Sequence, residues 1–263
     1  MQLMHTGRIS HPANMEEGTK VIDPSAIGLS GEMYTDELGM QSYPVPVEMT
    51  HEDIIQTEDE FVQAAKNAIE AGFDGIEIHA ANGYLLDQFI NTASNKRSDE
   101  YGGSIENRSR FVLEVAQKVI AAIGEEKTGI RISPYGAFND METFDDIEAI
   151  FEYLATELGQ LKLAYVHIVE MSGLGGPEVP LAMKLKIRAA FGGPVIWSGG
   201  LDKEKAEAAL NKDEAELVAF GRSLIANPDL VYRMKNDLPL QDADHETFYT
   251  PGKKGYTDYS FAN

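Results

Sequence analysis

Residues 72–79 read Gly72-Phe73-Asp74-Gly75-Ile76-Glu77-Ile78-His79, a glycine-bounded turn that runs straight into a short apolar stretch. The stretch has the length and β-branched character of a buried strand. Just upstream, residues 57–71 place Phe61, Ala65, Ala68 and Ile69 on one helical face, and Thr57 with Glu60 has the spacing of a capping box. The order is helix, turn, strand, and it recurs. A helix over 104–123, with Val112, Val115, Val119 and Ile123 on one stripe, leads to the strand Gly129-Ile130-Arg131-Ile132-Ser133. A helix over 145–158 presents Ile147, Ile150, Phe151, Leu154 and Leu158 ahead of a strand over 163–169. Helices over 178–191 and 202–210 precede strands over 194–198 and 217–220. Such alternation builds a parallel sheet with helices outside it.

Strands end near residues 79, 133, 169, 198 and 220, and Gln2-Leu3-Met4-His5 reads as the end of one more, giving six. A closed parallel barrel needs eight, at roughly 30 residues per strand–helix unit. An open doubly wound sheet manages with six. Two segments break the rhythm. Residues 6–56, with Pro12, Pro24, Pro44 and Pro46, read as a long insertion, and 237–263 as a polar tail carrying Tyr249, Tyr256 and Tyr259. No linker divides the chain, so residues 1–263 read as a single domain.

Composition narrows the function. Acidic residues outnumber basic ones 43 to 22, for a formal charge of −21, which disfavours nucleic acid and anionic membranes as partners. There is no cysteine, so disulfides and thiolate chemistry are excluded. No apolar run is long enough to span a bilayer, and the first residues do not read as a signal peptide, so a cytoplasmic protein acting on a small molecule is expected. His5, His11, His51, His167 and His245 lack metal-ligand spacing, and no metal is expected. Nothing in the sequence specifies an oligomeric state.

Three groups of residues could carry chemistry. His79-Ala80-Ala81-Asn82-Gly83-Tyr84 follows a strand directly, and in a parallel barrel the carboxyl ends of strands surround the active site. His79 and Asn82 can donate hydrogen bonds to a carbonyl or nitro group, and the Tyr84 phenol can give a proton to the neighbouring carbon. The plainer reading is a helix start in which these side chains satisfy backbone groups. Arg131, inside an apolar strand, faces away from its flanking isoleucines and needs a partner: a cofactor anion, or Glu77 or Glu170 in an ion pair. Ser198-Gly199-Gly200 and Phe220-Gly221-Arg222-Ser223 follow the last two strands, the usual phosphate site of a barrel, although ordinary turns use glycine too. Glu77 and Glu170 could also be read as an acid–base pair of the glycosidase kind.

Taken in order, these pieces resemble the Old Yellow Enzyme family. The matching blocks are Gln2-Leu3-Met4-His5-Thr6-Gly7-Arg8, His79 through Phe89, Tyr101 through Arg108, Ile130 through Pro134, Gly221 through Asp229, and Gly255 through Tyr259. The resemblance implies a (β/α)8 barrel, here with strands three to eight and without the first two βα units. It implies an FMN enzyme that takes hydride from NADPH or NADH and reduces activated C=C bonds, nitro compounds or nitrate esters. On this resemblance His79 and Asn82 hold the substrate oxygen and Tyr84 is the proton donor. Gln2 and Arg131 contact the flavin ring, Gly199, Gly200, Gly221 and Arg222 cradle its phosphate, and Met4 and Tyr249 border the substrate. Met4 departs from the tryptophan of many members, which implies a wider pocket. The competing readings are a non-catalytic fragment of such an enzyme that holds no flavin, and a phosphate-binding barrel lyase, which would want a lysine inside a strand.

Overall fold

The computed structural model describes residues 1–262, apart from the side chain of Leu174. The chain opens with β1 (Gln2–Leu3) and then leaves the main sheet for β2 (Ile22–Asp23), the hairpin β3 (Glu32–Thr35) and β4 (Gly39–Ser42), and β5 (Val47–Glu48). β2 pairs in parallel with β5, and β3 antiparallel with β4. The insertion expected over 6–56 is therefore not one long loop but two small sheets. It also ends sooner, because α1 spans His51–Glu70.

That early start corrects the capping box. Thr50, not Thr57, is the cap: its hydroxyl accepts from the Asp53 N–H at 3.1 Å while the Asp53 carboxylate accepts from the Thr50 N–H at 2.8 Å. Thr57 lies one and a half turns inside, its hydroxyl bonded back to the Asp53 carbonyl. Ile54, Phe61, Ala65 and Ala68 form the buried face.

The remaining elements alternate as expected: β6 (Ile76–Ala80), α2 (Leu85–Ile90), α3 (Ile105–Ile123), β7 (Thr128–Ile132), α4 (Ile147–Gln160), β8 (Tyr165–Val169), α5 (Leu181–Phe191), β9 (Val195–Ser198), α6 (Lys203–Asn211), β10 (Leu217–Ala219), α7 (Arg222–Ala226) and α8 (Leu230–Lys235). α5 begins after Pro180 rather than at 178, because a proline drives the residue before it out of the helical region. The short helices α2, α7 and α8 lack a full apolar stripe, so periodicity alone does not reveal them.

The main sheet runs β1-β6-β7-β8-β9-β10, every pair parallel. Its order follows the chain with no reversal, and α1 packs on α3, α3 on α4 and α4 on α5. This is barrel winding, not the doubly wound kind. The architecture is an incomplete (β/α)8 barrel with six of the eight strands.

The two faces of the sheet differ. Ile76, Ile78, Ile130, Ile132, Val166, Ile168 and Val195 point toward the helices and are buried against Phe111, Val115, Phe151, Leu154 and Ile187. Each such side chain contributes roughly 1.5–3 kcal/mol. The opposite face carries Gln2, Glu77, His79, Arg131, His167 and Ser198, so the inner wall is polar and the core lies outside it.

Candidate active site

β6 ends in a turn, Ala81-Asn82-Gly83-Tyr84, that enters α2. Asn82 and Gly83 both have positive φ, 57° and 73°, an arrangement asparagine and glycine tolerate. The backbone of the turn is held from beneath. Ser133 Oγ accepts from the Asn82 N–H at 2.7 Å, and Asp87 accepts from the Gly83 N–H at 2.8 Å and from Ser133 Oγ at 3.2 Å. Gln88 donates to the Gly83 carbonyl and Asn139 to the Asn82 carbonyl. With the main chain satisfied this way, the side chains of His79, Asn82 and Tyr84 are free for other work. Burial pushes the Asp87 carboxyl up to about 7, against the pull of its two hydrogen bonds.

His79 is buried, and neither ring nitrogen has a hydrogen-bond partner. Burial first, and the Arg131 cation next, push its imidazole down to about 4, so the ring is neutral near pH 7. The Ala81 backbone is near enough to oppose that shift but is not aligned for a hydrogen bond. The Tyr84 ring lies against His79, centroids 5.4 Å apart. Asn82 Oδ1 is likewise buried without a partner, the amide orientation being interchangeable.

Arg131 lies beside His79 in register and faces inward, and its Nε is buried and unpartnered. Neither ion pair left open by the sequence forms. Glu77 is taken by His167 at 2.9 Å and Glu170 by Lys184 at 2.7 Å. The glycosidase reading falls with them, since each carboxylate is engaged by a basic side chain. Burial draws the Arg131 guanidinium below its ordinary value, opposed by Glu77, and its sole polar side-chain contact among the described residues is Ser198 Oγ at 3.5 Å.

A cleft of about 540 Å³ opens at the carboxyl ends of these strands. It brings together Asn82, Arg131, Ser198, Gly199, Gly221, Arg222 and Tyr249. Gly199 has φ 99°, and a Cβ there would sit 2.0 Å from the Glu170 carbonyl oxygen, so the turn demands glycine. At Gly221 an added Cβ meets nothing within 4 Å: it would project into open space beside Arg222, whose Nη1 donates to the Gly173 carbonyl at 2.8 Å. Tyr249 stands at the rim, 98% exposed, and does not cover the cleft.

Other expected site residues lie apart from this lining. Gly200 faces a neighbouring cavity with Ser172 and Lys205. Met4 is half-exposed in a groove formed with His5, Thr57 and Phe61. Gln2 donates to Glu77 Oε1 at 2.6 Å on the inner wall. His79 and Tyr84 are in contact with each other and are not in the cleft lining.

Sequence reasoning named Gln2, Glu77 and Ser198 but passed over His167, which joins them around Arg131. His167 Nδ1 lies 2.9 Å from Glu77 Oε2 and its Nε2 2.8 Å from Ser198 Oγ, so Gln2, Glu77, His167, Ser198 and Arg131 form one chain of polar contacts across the inner wall. Strand alternation was the available signal: Glu77 and His79, Arg131, His167 and Ser198 all fall on the inward parity. His51, discounted as a ligand, does approach Asp99 and Glu100, but Arg97 pairs with Asp99 through both carboxylate oxygens.

The comparisons with known proteins agree with this fold. Residues 1–241 match the model of the NADH:flavin oxidoreductase / NADH oxidase family. A Leishmania infantum protein named for flavin mononucleotide-dependent alkene reduction is 41% identical over 99% of this chain and 71% of its own length. The 12-oxophytodienoate reductase 1 of Oryza sativa subsp. japonica is 41% identical over 99% of this chain and 68% of its own. A solved structure of morphinone reductase in complex with tetrahydroNAD superposes with a TM-score of 0.93 at 38% identity, covering 100% of this chain and 72% of that one. By its fold, its site and these likenesses, the chain belongs to the NADH:flavin oxidoreductase / NADH oxidase family, the Old Yellow Enzyme family that its motifs resemble.

Proposed function

We propose that this chain is an FMN-dependent reductase of activated C=C bonds that draws its hydride from NADPH or NADH, with His79, Asn82 and Tyr84 acting on the substrate. One observation carries the reading. At the ends of β6 and β7, both ring nitrogens of His79, Asn82 Oδ1 and Arg131 Nε are buried without partners, a costly arrangement unless a ligand completes it. FMN fits the cleft: Arg131 offers a cation on its floor, and Gly221 with Arg222 offers an open cradle for a phosphate. FMN, when bound, accepts hydride from the nicotinamide and delivers it to the substrate.

The chain's own residues do the rest. Neutral His79 and the Asn82 amide donate to the carbonyl oxygen of an enone and draw charge toward it, which leaves the β-carbon electron-poor. The Tyr84 hydroxyl gives its proton to the α-carbon. Asp87 and Ser133 hold the turn that aims these groups. His79 itself is buried, while Asn82 lies in the cleft lining. The partners on this reading are a nicotinamide donor and a small-molecule substrate.

Tyr84→Phe tests the assignment. Anaerobic stopped-flow measurement should show the oxidative half-reaction with an enone slowed about 10²-fold or more, and flavin reduction by NADPH changed less than about threefold. Equal slowing of both half-reactions would remove Tyr84 from the proton-donor role.

A further inference from the structure

The inner wall holds a carboxylate and a cation on adjacent strands that do not pair. Glu77 on β6 and Arg131 on β7 point to the same side, two residues apart in register. Each feels the other: Glu77 raises the Arg131 guanidinium and Arg131 lowers the Glu77 carboxyl, yet no ion pair joins them. The reason lies on the next strands. Gln2 occupies one oxygen of Glu77 and His167 the other, and His167 in turn meets Ser198, the hydroxyl that Arg131 approaches.

One neutral tautomer satisfies every contact. With Nδ1–H donated to Glu77, His167 Nε2 accepts the Ser198 hydroxyl proton. The Ser198 lone pairs then face Arg131 Nη2. The reverse tautomer would leave Nδ1 and the Glu77 carboxylate as two acceptors face to face.

We propose that His167 is a positioning residue that detains Glu77, so that Arg131 faces the cleft without an ion-pair partner. This rests on the reading that the cleft takes FMN. A reduced flavin is richer in electrons than an oxidised one, and a cation at the cleft floor favours it. Remove His167 and Glu77 is released toward Arg131, whose charge is then spent inside the wall.

The test has two arms. In the flavin-free chain, ¹⁵N imidazole spectra should show a proton on His167 Nδ1, the nitrogen that meets Glu77. A ring that carries its proton on Nε2 alone overturns the proposal whether or not flavin binds. In the FMN-loaded chain, His167→Leu should weaken the preference for reduced over oxidised flavin about tenfold, a fall of about 30 mV for a two-electron couple. The double variant His167→Leu/Glu77→Gln should return to within about threefold of the parent. A double variant as low as the single one overturns the proposal, because the loss would not then come from Glu77. If His167→Leu does not fold, Glu77→Gln alone decides: a change under threefold supports a detained carboxylate, and a tenfold rise refutes it. If the parent chain binds no FMN, the functional reading fails, and the tautomer alone decides for or against His167.

Discussion

Replacing Asp87 by asparagine should stabilise the protein increasingly as pH rises from 4 to 8. Burial pushes the Asp87 carboxyl from 3.8 to about 7, with the hydrogen bonds from Gly83 and Ser133 pulling the other way. Below the lower value the side chain is protonated both folded and unfolded, and its contribution is intact. Between the two values the unfolded chain ionises while the folded one keeps its proton, so stability falls as pH climbs and the loss is complete above about 7. A gap of about three units at roughly 1.36 kcal/mol each corresponds to about 4 kcal/mol. Asparagine cannot ionise, yet its oxygen can still accept the Gly83 N–H. Urea unfolding of both chains at pH 5 and pH 8 is the assay. The parent should lose roughly 3 kcal/mol more than Asp87→Asn across that interval. Parallel losses in the two chains would mean that Asp87 is already ionised when folded, and would refute the reasoning.

Three further outcomes concern the cradle. Gly199→Ala should destabilise the fold by roughly 2–4 kcal/mol in thermal or urea unfolding, since it adds a clash with the Glu170 carbonyl at a φ that disfavours side chains. Gly221→Ala should unfold within about 0.5 kcal/mol of the parent and yet bind FMN about tenfold more weakly, because its methyl enters open cradle space. Arg222→Ala should weaken FMN roughly 10- to 100-fold by fluorescence titration, the range of a charge-assisted hydrogen bond, and leave riboflavin, which lacks the phosphate, unaffected.

The strand–turn–helix repeat was legible because buried strands such as Ile76–Ala80 and Thr128–Ile132 bury every second residue against helices with clear apolar stripes. The start of α1 was misread because Thr57-x-x-Glu60 matches the capping pattern as well as Thr50-x-x-Asp53 does, and the earlier start is the one that brings Ile54 onto the buried face. The turn at Asn82, the inward placing of Arg131 and the glycine turns were readable from their positions at strand ends. The partner of Arg131 was not. Alternation puts Glu77 on the same face, but a third strand supplies the histidine that intercepts it, and no local pattern reports a contact between residues 90 positions apart. Tyr249 was expected to border the substrate, and it stands exposed at the rim of the cleft.

A wall lined by Glu77, His79, Arg131 and His167 gives the chain little hydrophobic reason to shut around itself. Whatever occupies that space becomes part of what keeps the protein folded. A ligand at 100 times its dissociation constant adds about 2.7 kcal/mol of stability. The lifetime of such a protein in a cell is then tied to vitamin supply: molecules left without flavin would lack that stabilisation and would unfold, and so be proteolysed, more often.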